Sequence, residues 1–352
     1  MRVLHIIHHL WMGGAQRLLS DILPIMKQSI DVSVLVTQNA NSEFSHKIEE
    51  NGINIISLNI KNIHNPLIAY KISSIVKDFD VVHVHLFPSL YLAAFGCMFS
   101  RVPMVYTEHS TYNKRRGKWY MRPIEKMVYN RYNRIISISD HTQNQLLNWI
   151  HPKSRDNRFV IVNNGVDLAS LKCSRVVKER PDTLIMISRF APSKDQATLI
   201  RAMRYLPTDI KLMLVGNGET FKQNKALASE LGLEDQVLFL GKRSDIADLI
   251  AQADIGIQSS VWEGFGLTAV ELMAGGVPVV ASDVDGLKQV VEGAGVIFPR
   301  GDEMALAGII NQLIKDKSFY LDVKKRCEER AKLYDIHKMA EKYIEVYKSV
   351  IK

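Results

Sequence analysis

The sequence predicts two doubly wound α/β domains, each a parallel sheet covered by helices on both faces. Three observations carry this expectation. Short, nearly uninterrupted apolar runs recur along the chain, as strands buried on both faces require. Amphipathic stretches separate those runs, so each strand is followed by a crossover helix. The chain is 352 residues long and 47% hydrophobic, more than one core usually holds.

The elements follow in order. VLHII (3–7) reads as a buried strand, and Gly13-Gly14-Ala15-Gln16-Arg17 opens a helix. DVSVLV (31–36) and INIISL (53–58) are further strands, and helical runs near 66–77 and 89–100 flank VVHVHL (81–86). PMVYTEH (103–109) and RIISIS (134–139) complete the first domain, placed at 1–171. Lys172 to Pro181 carries charge and little periodicity, and is read as the linker. The second domain, 172–335, has strands at TLIMISR (183–189), IKLMLVG (210–216), QVLFLG (236–241), DIGIQSS (254–260) and VPVVAS (277–282). The last segment, 336–352, is helical and is expected to pack back on the first domain. In such sheets ligands bind beyond the carboxyl ends of strands, so functional residues are sought there, in a cleft between the domains.

Composition narrows the setting. The net charge of +8 admits nucleic acid, anionic lipid or phosphorylated small molecules as partners. Charge is densest from Asn113 to Arg122 and includes Lys114, Arg115, Arg116 and Lys118 beside Trp119; Tyr120, Tyr129 and Tyr132 follow. Basic and aromatic residues on one surface suit an anionic membrane interface, against the plainer reading of a solvated helix face. The motifs typical of nucleic-acid binding are lacking, so nucleic acid is not expected as a partner. No apolar run is long enough for a bilayer span, and MRVLHIIHHLWMGGAQR reads as a first strand rather than a signal peptide. Three scattered cysteines, Cys97, Cys173 and Cys327, argue against a disulfide framework and fit a reducing cytoplasm.

Four stretches carry candidate chemistry. Gly13 and Gly14 follow a strand and open a helix, where backbone N–H groups can meet an anion or the turn can simply be tight. Arg189 ends a strand and Lys194 starts the next helix, so a forked and a point cation could converge on one phosphate group. In Trp262-Glu263-Gly264-Phe265-Gly266-Leu267-Thr268-Ala269-Val270-Glu271, two carboxylates flank a glycine turn at a helix start. As isolated residues they would be ordinary helix-terminal acids. Together they suit a sugar nucleotide, whose hydroxyls pair with carboxylates and whose diphosphate suits a helix N-terminus. His109 ends a strand, as do His83 and His85. No carboxylate or cysteine stands at metal-like spacing nearby, so His109 is read as a hydrogen-bonding partner of a substrate hydroxyl and no metal is expected. Asp283-Val284-Asp285-Gly286 is read as a turn.

With those residues in hand, the chain resembles the retaining glycosyltransferases of the GT-B fold in family 4, whose two Rossmann-like domains face each other across a cleft. Glu263 to Glu271 is similar to that family's E-x7-E motif, Arg189 with Lys194 to its Arg…Lys pair, Gly13 to Arg17 to its N-terminal GGAER-type loop, and Asn163-Asn164-Gly165-Val166-Asp167 to its NGVD. The resemblance implies that Glu271 binds the ribose hydroxyls, and that Glu263 with Gly264, Phe265 and Gly266 holds the donor sugar, beside Leu267 and Thr268. It implies that Arg189 and Lys194 neutralise the departing diphosphate, that Gly14 approaches the same phosphates, that His109 contacts the transferred sugar, and that Lys242 and Arg243 border the base. A nucleotide-sugar donor, most simply a UDP-sugar, a saccharide or lipid-linked acceptor at the cytoplasmic membrane face, and no cofactor or metal are the expected partners. Asp285-Gly286-Leu287-Lys288-Gln289 departs from the family's Gly-Gly…Glu pattern, and Gln16 stands where Glu is common. A sugar-nucleotide epimerase of the same fold and a non-catalytic scaffold are the alternatives.

Overall fold

The computed structural model describes every residue except 12, 39, 111–112, 114, 153–155, 172–177, 179 and 352. The chain divides into two compact units, Met1–Gly165 with Ile336–Lys352, and Val166–Asp335. By compactness the units divide between Gly165 and Val166, and Val166 N donates to Tyr334 O at 2.9 Å. Most of the expected linker lies outside the described residues.

The first unit holds β1 (Arg2–Ile7), β2 (Asp31–Val36), β3 (Asn54–Ser57), β4 (Val81–His85), β5 (Met104–Glu108), β6 (Arg134–Ser137) and β7 (Phe159–Ile161). Among the described residues they form one parallel sheet in the order β3-β2-β1-β4-β5-β6-β7. Strand alternation sorts their side chains. Val3 and Ile7 of β1, Val81 of β4 and Val105 of β5 enter a core shared with helices Gly14–Lys27 and Ile336–Lys348. Leu4, Ile6, Val82, Val84 and Tyr106 face the opposite core. His5, His83 and Thr107 alternate onto the first of these faces. The last helix places Ile336, Met339, Ala340, Tyr343 and Tyr347 on its buried stripe, the i, i+3, i+4 spacing of one helical face.

The second unit holds β8 (Thr183–Ile187), β9 (Lys211–Val215), β10 (Val237–Gly241), β11 (Ile255–Gln258), β12 (Val279–Ser282) and β13 (Val296–Phe298). They too run parallel, in the order β10-β9-β8-β11-β12-β13. The Val, Ile and Leu runs of the inner strands β8, β9, β11 and β12 are buried on both faces, as crossover helices on either side require, whereas the edge strands β10 and β13 are only partly covered. The edge strands β7 and β13, each of three residues, are additions to the sequence reading.

Candidate functional site

In the second unit the strand order reverses between β8 and β11, and the loops leaving their carboxyl ends carry the predicted pair of motifs. Exposed Arg189 follows β8 and makes no ion pair among the described residues. Gln196 fixes this loop from within, donating from Nε2 to Ser188 Oγ at 2.9 Å and to Arg189 O at 3.1 Å. Lys194 ends a short 3₁₀ turn, Pro192–Lys194. Its Nζ forms an ion pair with Glu263, from the loop beyond β11, with 22% and 19% of the two side chains exposed. The structure thus brings together two residues 69 positions apart.

Beyond Glu263 the turn is built tightly. Phe265 is buried and meets Tyr334 edge-on, 5.4 Å between ring centroids. Gly266 has φ 91°, a conformation that favours glycine, and a Cβ there would lie 2.8 Å from Leu287 Cδ2. Helix Leu267–Ala274 starts from it with no capping side chain bond to its first N–H groups. Leu267 and Thr268, in the first turn, remain partly exposed, and Glu271, one turn on, is buried. The departing loop sits directly beside this turn: a Cβ on Gly286 would lie 2.2 Å from Glu263 O, so helix Asp285–Val291 begins against the Glu263–Gly264 backbone. Asp283 pairs with Lys288 at 3.0 Å on the surface, as a solvated turn does. Lys242 and Arg243 stand beyond β10, with β9 between that strand and β8. Both are exposed, and Arg243 Nε donates to Asp245 Oδ1 at 2.7 Å.

The sequence reading passed over Gly216-Asn217-Gly218. Gly216 has φ 133°, and a Cβ there would lie 2.0 Å from Ser188 O. Phe190 N donates to Asn217 O at 3.0 Å, so this turn props up the Arg189 loop. A strand ending in Val-Gly-Asn-Gly was the available signal.

In the first unit the reversal falls between β1 and β4. Gly13 and Gly14 part company here. A Cβ on Gly13 would lie 2.2 Å from Gln16 Oε1, whereas one on Gly14 meets no described atom within 4 Å. Packing explains the first glycine and not the second. His109, after β5, sets its Nε2 3.2 Å from His85 Nδ1, and His85 Nε2 lies 3.0 Å from His5 Nδ1. Burial holds these imidazoles neutral, lowering His5 to about 3 and His109 to about 4. His5, His83 and His85 bring ring nitrogens within 4.8 Å of one another. Those of His83 already bond hydroxyls, Nδ1 to Tyr347 at 2.6 Å and Nε2 to Thr107 at 2.7 Å.

The basic segment departs from its expected surface. Lys114 lies outside the described residues. Arg115 turns inward, donating from Nε to Glu125 Oε1 at 2.7 Å and stacking 4.2 Å from the Phe87 ring centre. Arg116 donates to Glu108 Oε2 at 3.0 Å, and Tyr129 and Tyr132 are buried. The reason is that Glu108 and Glu125 are buried carboxylates that need partners. Lys118, Trp119 and Tyr120 remain exposed, joined on helix Met121–Tyr129 by Arg122, Ile124, Lys126 and Met127. Among the described residues no helix is long and apolar enough to cross a membrane.

Two family profiles match this chain, Glycosyltransferase Family 4 over residues 12–170 and Glycosyl transferases group 1 over 170–334. N-acetyl-alpha-D-glucosaminyl L-malate synthase of Bacillus anthracis is 32% identical over 191 residues, 53% of this chain and 50% of that protein, so the match spans half of that relative's length. A Campylobacter jejuni protein, N-acetylgalactosamine-N,N'-diacetylbacillosaminyl-diphospho-undecaprenol 4-alpha-N-acetylgalactosaminyltransferase, is 24% identical over 95% of this chain and 96% of its own. Among solved structures, Anabaena HepE in complex with UDP-glucose superposes with a TM-score of 0.85 at 25% identity, over 99% of this chain and 100% of that one.

Proposed function

The chain belongs to the glycosyl transferases of group 1 and glycosyltransferase family 4, with the GT-B fold, and from that premise we propose that it moves a sugar from a nucleoside-diphosphate donor to an acceptor hydroxyl with retention at the anomeric carbon. The observation that carries this is the meeting of Lys194 and Glu263 at the β8–β11 reversal, next to the uncapped start of helix Leu267–Ala274.

As the glycosidic bond breaks, negative charge collects on the leaving diphosphate. Arg189, Lys194 and the backbone N–H groups at the helix start, residues 267 and 268, stabilise that charge, and fixed donors of this kind usually supply the largest catalytic term. Glu263 takes the donor sugar's hydroxyls and Glu271 the ribose. Gly14 lets a phosphate approach the first helix of its unit. A leaving phosphate oxygen accepts the acceptor's proton, so no side chain need act as nucleophile or base, and these cations take the place of a metal. The Anabaena complex with UDP-glucose supports a UDP-sugar donor. The name of the Campylobacter relative supports a lipid-linked saccharide acceptor, and the exposed Trp119, Tyr120, Ile124 and Met127, interleaved with Lys118, Arg122 and Lys126, suit an anionic membrane surface on the cytoplasmic side.

The test is thermal stabilisation by a panel of UDP- and GDP-sugars. A ligand confined to the folded state raises the melting temperature by mass action. A UDP-sugar should raise it, and Glu271→Ala should shrink the shift relative to that variant's own unliganded melt. No shift with any nucleotide or nucleotide sugar would remove the reading.

A further inference from the structure

The first unit's sheet carries a line of three imidazoles, from His5 within β1 through His85 of β4 to His109, just past the end of β5. His5 Nδ1 lies 3.0 Å from His85 Nε2, and His85 Nδ1 lies 3.2 Å from His109 Nε2. The His5 and His85 rings are nearly parallel, 8° apart. At the inner end, the buried His5 Nε2 has no hydrogen-bond partner among the described residues. We propose that His5 and His85 are positioning residues that hold His109 as its Nδ1–H tautomer, so that it offers the donor sugar an N–H and never a lone pair. This rests on the reading above that His109 faces the transferred sugar.

A neutral imidazole has one donor and one acceptor nitrogen, so the line must be polarised in one of two directions. In one direction His109 Nε2–H donates to His85 Nδ1, and His85 Nε2–H donates to His5 Nδ1. His5 is then left with a buried Nε2–H that points at no acceptor among the described residues. In the other direction His5 Nδ1–H donates to His85, His85 Nδ1–H donates to His109 Nε2, and His5 is left only with an unused lone pair. A buried N–H without an acceptor is the rarer and costlier defect. The second direction is therefore the stable one, and it leaves the His109 proton on Nδ1. His83 stands beside the line but does not choose its direction, because its partners, the hydroxyls of Tyr347 and Thr107, can each donate or accept. The partner of one ring nitrogen sets the proton on the other, and here that setting is passed through two rings. One consequence is chemical: with its Nε2 lone pair occupied, His109 is barred from taking the acceptor's proton.

Nitrogen-15 spectra of the histidine-labelled full chain at neutral pH read tautomers directly, with His109→Gln to assign the His109 signals. Protonation at Nδ1 in His109 and His85 is expected. Protonation of His109 at Nε2 overturns the proposal, as does zinc retained by the purified protein on the nitrogens of His5, His83 and His85. In kinetics, His85→Leu should lower kcat by roughly tenfold to a hundredfold, the usual effect of losing an orienting partner, with donor KM nearly fixed. His85→Gln, which keeps one acceptor and one donor, should recover part of it. An unchanged kcat in His85→Leu also overturns the positioning role. The spectra need no donor, so failure of the nucleotide-sugar reading would show separately, as a protein that no nucleotide sugar stabilises.

Discussion

Lys194 and Glu263, one from each of the two loops that leave the strands flanking the reversal of the second sheet, form an ion pair, and the proposed function puts the diphosphate sugar beside it. The pair is partly exposed, so it contributes little to stability, about 1 kcal/mol or less. Its value lies in exchange: a diphosphate can draw on the ammonium and a sugar hydroxyl on the carboxylate. Lys194→Ala is therefore expected to lower turnover by about 100-fold or more while moving the melting temperature little. Steady-state kinetics and a thermal melt on the same preparation check this. A large fall in the melting temperature would make the pair structural instead.

Two glycine substitutions should separate ligand approach from packing. At Gly14 a methyl meets no described atom within 4 Å, and the residue begins a helix, so Gly14→Ala should leave the fold as stable or slightly firmer, by up to about 1 kcal/mol. Under the proposed function donor KM should rise, because the methyl would stand where a phosphate approaches the start of this helix. At Gly286 a methyl would lie 2.2 Å from Glu263 O, so Gly286→Ala must push the Glu263 loop aside. It should cost about 1–3 kcal/mol by urea unfolding and lower activity as well. Equal effects of the two substitutions on stability would contradict the distinction.

Those same residues show what was legible in the sequence. The E-x7-E spacing placed Glu263 before and Glu271 within one helix, because helix starts carry local signatures of glycine and helical periodicity. That Lys194 would pair with Glu263 was not legible in detail, since it depends on which strands become neighbours. The central strands announced themselves through long Val and Ile runs, whereas Phe159–Ile161 and Val296–Phe298 are too short to show a period. The basic segment misled for a different reason. Charge in sequence does not say which way a side chain turns, and Arg115 and Arg116 turn toward Glu125 and Glu108, buried acids that lie apart from them in the chain. His83 and His85 were legible as strand-end histidines, but His5 was one letter in an apolar strand; its place beside them came from the register that sets His5 opposite His83.

Glu125 offers a test of that inward turn. Its fully buried carboxylate accepts from Arg115 Nε at 2.7 Å, from Trp149 Nε1 at 2.6 Å and from the Tyr91 hydroxyl at 2.9 Å. Glu125→Ala would leave the Arg115 guanidinium without its buried partner, and removing one member of such a pair costs about 3–5 kcal/mol. Tyr91→Phe deletes one neutral donor and should cost about 1 kcal/mol. Urea unfolding of the two variants should show that order. A Glu125→Ala protein as stable as the parent would mean that Arg115 is solvated and free to serve a surface.

The buried histidines predict how stability depends on pH. Burial lowers His5 to about 3 and His109 to about 4 from 6.5, and holds His83 and His85 well below that value. A depressed histidine is neutral in the fold and takes up a proton only on unfolding. Its contribution to stability is complete above 6.5 and is lost as pH falls through the folded value, about 4 for His109 and about 3 for His5. Glu108 acts in the opposite sense. Its carboxyl is raised by burial above 4.5, so its contribution is present below 4.5 and is lost as pH rises through its folded value. Below 6.5 the histidines dominate, because several protons are taken up together. Each adds about 1.4 kcal/mol per pH unit to the slope. Urea unfolding at pH 7.5, 6 and 5 should therefore show steadily falling stability, and His109→Gln should flatten the slope by about one proton's worth. A slope in the parent protein that stays flat from 7.5 to 5 would mean that these imidazoles are hydrated in the fold and titrate freely, and the polarised line from His5 to His109 would lose its physical basis with them.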